Sequence, residues 1–250
     1  MDHRATPHND HKENSWLMIQ DWENVLFLHW PVSAEELRKH VPDELELDLF
    51  DDMAWISLVL FTVGESRPRL MPPIPPACNF PELNVRTYVK HGKKPGIYFF
   101  TLDAGRDFVV ALTTIGDFLP YRKANVDYIE ENGRFAFSSH SLEDDAPQES
   151  FTIGFKPNLD KMIEKQAIDR FLTDRFSFWR KPKNSWYRMD ITHPEWDLYP
   201  VEFQIEHNTM TPFIDFPKDE QYPLAHYTPF MKTKYFPPQS VELGGEKLKD

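Results

Sequence analysis

Glu82, Asn84, Arg86 and Tyr88 stand two residues apart and carry the densest chemistry in this sequence. Side chains alternate along a strand, so these residues share one face and Leu83, Val85, Thr87 and Val89 the other. A carboxyl and a guanidinium on one strand face admit two arrangements. On a solvated face they form an ordinary surface pair worth about 0–1 kcal/mol. On the inner face of a barrel they line a pocket, where Glu82 is partly buried and Arg86 either holds it ionised or meets an anionic ligand. Periodicity alone leaves both readings open.

The segment that positions them reads as a hairpin: residues 82–91 and 96–104 flank the turn Gly92-Lys93-Lys94-Pro95. Residues 45–49 alternate as a half-buried strand, and 53–63 is apolar on both faces, as in a fully buried one. Ser33 with Glu36 makes a capping box, so residues 33–41 form a short helix stopped by Pro42. The proline-rich stretch 68–81 is a stiff loop. Residues 107–116 fit either helix or strand. Asn132-Gly133 marks a tight turn between 126–129 and 134–138. Ile168, Phe171, Leu172 and Phe176 define one face of a helix over about 165–176, and strands at 186–191 and 201–205 close the list.

The 250 residues carry 28 Lys plus Arg against 40 Asp plus Glu, a net charge of -12, and 40% are hydrophobic. This is the make-up of a soluble globular protein and argues against nucleic acid, whose phosphates need Lys and Arg. There is no apolar run long enough for a membrane span and no secretory signal at the polar start. Cys78 is the single cysteine, which excludes an internal disulfide and a cysteine metal cluster and makes a cytoplasmic location the expectation. Only 9 Gly against 22 Pro suit a loop-rich β architecture. Glycine-rich phosphate loops, G-x-S-x-G and H-E-x-x-H are all missing, so neither a cofactor nor a metal is expected. The organisation that follows is a flexible polar tail over 1–14, one α+β domain, mainly β, over 15–243, and a charged tail over 244–250.

The run Phe80-Pro81-Glu82-Leu83-Asn84-Val85-Arg86-Thr87-Tyr88-Val89, with Pro95-Gly96-Ile97-Tyr98-Phe99-Phe100-Thr101-Leu102-Asp103-Ala104 after it, resembles the YqjF-like family of bacterial proteins. Leu26-Phe27-Leu28-His29-Trp30-Pro31, Leu119-Pro120-Tyr121 with Ala124, Phe171-Leu172-Thr173-Asp174-Arg175-Phe176 and Ile191-Thr192-His193-Pro194-Glu195-Trp196 extend the match over about 22–205. That family is distantly similar to acetoacetate decarboxylase. The resemblance implies a β-barrel with flanking strands, a few short helices and a ligand cavity, and it tips 107–116 toward helix. In the decarboxylases a desolvated lysine forms a Schiff base with a β-keto acid, assisted by a glutamate at the position matching Glu82. Their G-x-P-K-K motif falls near Phe118-Leu119-Pro120-Tyr121-Arg122-Lys123-Ala124, where Tyr121 and Arg122 stand directly after the proline. Imine chemistry is therefore not expected here.

The expected function is binding of a small organic acid or keto compound in the barrel, with Glu82 as the catalytic group of a proton-transfer or lyase-type reaction. Arg86, Tyr121, Tyr98, Asp103, Arg122 and Lys123 are the expected ligand-binding residues. A non-catalytic sensor or binding module is the alternative, and a solvated polar face over a filled barrel is the structural one. His193 and Trp196 read as a pocket mouth or a core edge, His29 as a satisfied buried histidine, and Arg175 as a ligand contact or half of an ion pair. A homo-oligomer is compatible with the sequence.

Overall fold

The computed structural model describes residues 15–105, 119–143, 149–182, 184–214 and 223–242. The terminal tails and the 107–116 segment lie outside these residues. The chain runs β1 (Met18–Val32), α1 (Ala34–Arg38), β2 (Glu46–Leu47), β3 (Ala54–Pro68), β4 (Phe80–His91), β5 (Lys94–Ala104), β6 (Tyr121–Glu131), β7 (Arg134–Ser141) and β8 (Ser150–Pro157). It continues through α2 (Ala167–Thr173), β9 (Ser177–Arg180), β10 (Trp186–Thr192), β11 (Val201–Asn208), β12 (Leu224–Tyr235) and β13 (Gln239–Val241). Strand pairing follows β5-β9-β10-β12-β1-β3-β4, and the β4–β5 hairpin returns the path to its start. The result is a closed ring. From β5 an arm of β6, β7, β8 and β11 leaves and folds over one side. Among the described residues no helix is long and apolar enough to cross a membrane.

Alternation explains the two layers. Leu26 and Leu28 of β1, Leu58 and Leu60 of β3, and Leu83 and Val85 of β4 point out of the ring and pack against Phe137, Phe151 and Ile153 of the arm. Val25, Phe27, Val59, Phe61 and Val63 point inward and pack with Trp196 and Leu198. A strand such as β3 is thus buried on both faces, as its apolar run predicts. Each of these side chains adds about 1.5–3 kcal/mol relative to exposure.

Of the register shifts among the described residues, two bear on the inner face. In β1 the register slips between Glu23 and Leu26, at Asn24 with φ 54. This left-handed residue is held in place: Tyr128 donates to its carbonyl at 2.6 Å and Tyr227 to its Oδ1 at 2.8 Å. In β5, Val85 pairs with Thr101 but Arg86 pairs with Phe99, so Phe100 is the extra residue.

Several expected boundaries move. The first hairpin turn shrinks to Gly92-Lys93, because His91 pairs with Lys94, and Gly92 supplies the positive φ of 58. At the second turn Asn132 and Gly133 have φ of 53 and 73, as a type I′ turn requires. α1 stops at Arg38, whose guanidinium turns back onto the carbonyls of Leu45 and Pro42, each at 2.6 Å. α2 is shorter than its apolar stripe; Asp169 caps it through the Gln166 N–H at 2.7 Å, and Asp174 ends it. The 45–49 strand contracts to β2. Pro81 belongs to β4 rather than the loop, opposite Thr62. The strands β12 and β13 follow the two expected to be last.

Candidate functional site

Inside the ring, inward residues of neighbouring strands fall in rows. Phe61, Glu82 and Ala104 pair across β3, β4 and β5, followed by Val59, Asn84 and Leu102, and then Ser57, Arg86 and Phe99. Glu82, Asn84 and Arg86 are 5%, 5% and 6% exposed, so the solvated-face reading of β4 does not hold. They line a cavity of about 60 Å³ that Trp22, Tyr121, Arg175, His193, Trp196 and Tyr235 help enclose. That is room for on the order of five waters, or a ligand of a few heavy atoms.

Burial pushes the Glu82 carboxyl up to about 7, against the hydrogen bonds it receives from Tyr121 and Asn84, and Asp103 adds to the rise. The Tyr121 hydroxyl donates to Glu82 Oε2 at 2.9 Å. Burial and the neighbouring Glu82 hold that phenol well above its ordinary value, so it stays a donor. Arg86 differs from an ordinary buried arginine: among the described residues no carboxylate pairs with it. Its Nη2 donates weakly to the Leu172 carbonyl at 3.4 Å, its Nε has no partner, and its guanidinium lies 5.6 Å from the Phe27 ring. Burial lowers its pKa, but a guanidinium remains charged. Arg175 is satisfied, through Asp48 at 2.5 Å and the Phe171 carbonyl at 2.7 Å.

Of the expected binding residues, Arg86 and Tyr121 join Glu82 at the cavity and four do not. Tyr98 is turned away because the bulge at Phe100 reverses parity, bringing Ile97 and Phe99 inward; Tyr98 packs on Phe100 instead. Asp103 alternates with the inward Leu102, and Arg122 with Tyr121. Both lie between ring and arm, where Arg122 pairs with Asp103 and with Glu149 at 2.5 Å, and Ser139 donates to Asp103 at 2.6 Å. Lys123 is exposed.

His193 lines the cavity while 7% exposed, with its ring between Phe176 and Trp196, so mouth and core edge coincide. Its Nδ1–H donates to the Pro194 carbonyl at 2.7 Å, and burial lowers its pKa to about 4. His29 is fully buried, 2.6 Å from Ser57 Oγ and 3.1 Å from the Tyr88 hydroxyl, and burial keeps it well below its ordinary value. Trp22, Tyr235 and Phe178 were missed. Trp22 is brought inward by the Asn24 bulge, and Tyr235 lies on β12, which carries no local signal tying it to β4.

The family model DUF2071, "Uncharacterized conserved protein", matches residues 19–232. The chain belongs to this family. A YqjF-like relative, "Uncharacterized protein YqjF" of Bacillus subtilis (strain 168), is 38% identical over 223 residues, 89% of this chain and 91% of that protein. The DUF2071 chain also shares its fold with solved proteins of low identity. An enduracididine biosynthesis enzyme, MppR, complexed with pyruvate, superposes with TM-score 0.63 at 8% identity, covering 95% of each chain. An acetoacetate decarboxylase-like enzyme from Sphingomonas wittichii RW1 gives 0.60 at 12% identity, covering 91% of this chain and 94% of its own. An acetoacetate decarboxylase from Legionella pneumophila gives 0.59 at 8% identity, covering 95% and 93%. The acetoacetate decarboxylase-like, mainly β fold is the one the family resemblance implies.

Proposed function

We propose that this protein binds a small organic acid or keto compound in the barrel cavity, its carboxylate on Arg86, and that Glu82 moves a proton on the bound molecule. One observation carries the reading: Arg86 is a buried cation facing a small cavity with no carboxylate of its own among the described residues. Leaving such a charge unpaired is costly, and a ligand carboxylate supplies the missing partner. A carboxyl poised near 7 can accept or return a proton at neutral pH. Arg86 would then neutralise an enolate as it forms. The pyruvate held by MppR, on the same fold, is a ligand of this size and charge. A cytoplasmic location fits such a metabolite-sized ligand.

Calorimetry with pyruvate and acetoacetate tests the reading. Arg86→Ala should weaken binding of whichever acid is taken by about 1.5–3 kcal/mol, the range for a hydrogen bond to a charged group. Unchanged affinity would remove Arg86 from the site. The exposed position of Lys123 favours a second reading, a binding module without turnover. Binding with no product across a panel of oxo acids would select it.

A further inference from the structure

The polar groups of the cavity are not all of one kind. Arg86 offers an unpartnered donor, Nε, at one end of the β4 row. At the other end Glu82 and Asn84 offer acceptors. The Asn84 side chain hydrogen-bonds to Glu82, and a carboxylate can only accept from an amide N–H. This fixes the amide orientation and leaves Asn84 Oδ1, buried and without a partner, as a spare acceptor. Among the described residues no lysine or arginine pairs with Glu82, which meets the Tyr121 hydroxyl instead. Asn84 Oδ1 therefore lacks a donor, and Arg86 Nε lacks an acceptor. At roughly 3.3 Å per residue the two ends are separated by about 7 Å from Asn84 to Arg86 and about 13 Å from Glu82, measured along the backbone. Trp22, Phe61 and Leu102 supply apolar walls between them.

We propose that the ligand is a short amino acid with its two charges apart, the carboxylate on Arg86 and an ammonium on Glu82 and Asn84 Oδ1. This rests on the carboxylate-binding reading and names the other end of the ligand. A plain carboxylic acid satisfies Arg86 but leaves the Asn84 oxygen dry and without a donor. A dicarboxylic acid places a second anion against Glu82. An amino acid with two or three carbons between its charged groups answers both orphaned atoms, Arg86 Nε and Asn84 Oδ1. An α-amino acid holds its charges too close together to reach both ends. The ammonium keeps Glu82 ionised when bound, so a proton leaves the protein as the ligand enters near neutral pH.

The test compares γ-aminobutyrate, β-alanine, α-aminobutyrate, butyrate and succinate by calorimetry on the full chain at pH 7, in two buffers of different ionisation enthalpy. γ-Aminobutyrate or β-alanine should bind at least tenfold more tightly than butyrate, α-aminobutyrate and succinate, with proton release. In Glu82→Gln the ratio of γ-aminobutyrate to butyrate affinity should collapse toward one. If butyrate binds as tightly as the amino acids, this inference is overturned while carboxylate recognition by Arg86 stands. If no carboxylate binds, the underlying reading fails as well.

Discussion

A carboxyl group that enters an apolar barrel without a cation beside it becomes a weaker acid, and the fold bears the difference as pH rises. Glu82 is raised to about 7 by burial. An exposed carboxyl in the unfolded chain ionises near 4.3. Between these values the unfolded chain has released the proton and the native protein has not, so this residue's contribution to stability falls as pH rises through the window. The loss is complete above about 7 and on the order of 3 kcal/mol. Glu82→Gln, which keeps an acceptor for Tyr121, should therefore be more stable than the parent at pH 8 and equal to it at pH 4. Urea midpoints across that range measure this, and a difference independent of pH would place Glu82 in water. His193, lowered to about 4 by burial, acts in the opposite direction, losing stability as pH falls below about 6.5. It is common to both proteins and cancels in the comparison. A second consequence concerns lysine. Lys123 is exposed, so acetoacetate with borohydride should leave the intact mass unchanged; an adduct mapped to Lys123 would restore imine chemistry.

At the scale of elements, what local sequence encodes was legible and what distant pairing imposes was not. The polar face of β4, the Ser33 cap and the apolar stripe of α2 each lie within a dozen residues, and the β4–β5 hairpin is one continuous stretch from Phe80 to Ala104. The family resemblance supplied the barrel that alternation could not. Alternation, had it been carried past Tyr121, also places Arg122 on the opposite face, as it does Asp103 beside Leu102. The bulges have no such signature: one extra residue in β5 decides whether Tyr98 or Phe99 meets the ligand. Asn24 is the exception that can be tested. Asn24→Gly keeps the left-handed φ but removes the Oδ1 acceptor of Tyr227, for about 0.5–1.5 kcal/mol. Asn24→Val also forces a β-branched residue into that conformation, adding about 1–3 kcal/mol. Equal denaturation midpoints for the two variants would show that φ at this position is unconstrained.

For the whole molecule, ring and arm are joined through a short parallel ladder, Leu102, Asp103 and Ala104 against Tyr121, Arg122 and Lys123. The buried Asp103–Arg122–Glu149 cluster sits on it. Breaking a buried pair by removing one partner costs about 3–5 kcal/mol. The parent should unfold in one transition by far- and near-ultraviolet circular dichroism, with modest helicity. Arg122→Met should lower the midpoint by that order, and an unchanged midpoint would make the cluster incidental to the joint. Closure of the ring has a further consequence, for synthesis. β1 pairs along nearly its whole length with β12, from Met18 opposite Tyr235 to His29 opposite Leu224. At roughly 5–20 residues per second, β1 leaves the ribosome about 10–40 s before its partner exists. Through that interval an apolar strand waits with one edge unpaired, so the barrel is completed only after β12 has emerged, and the nascent chain is the form in which this protein most needs a chaperone.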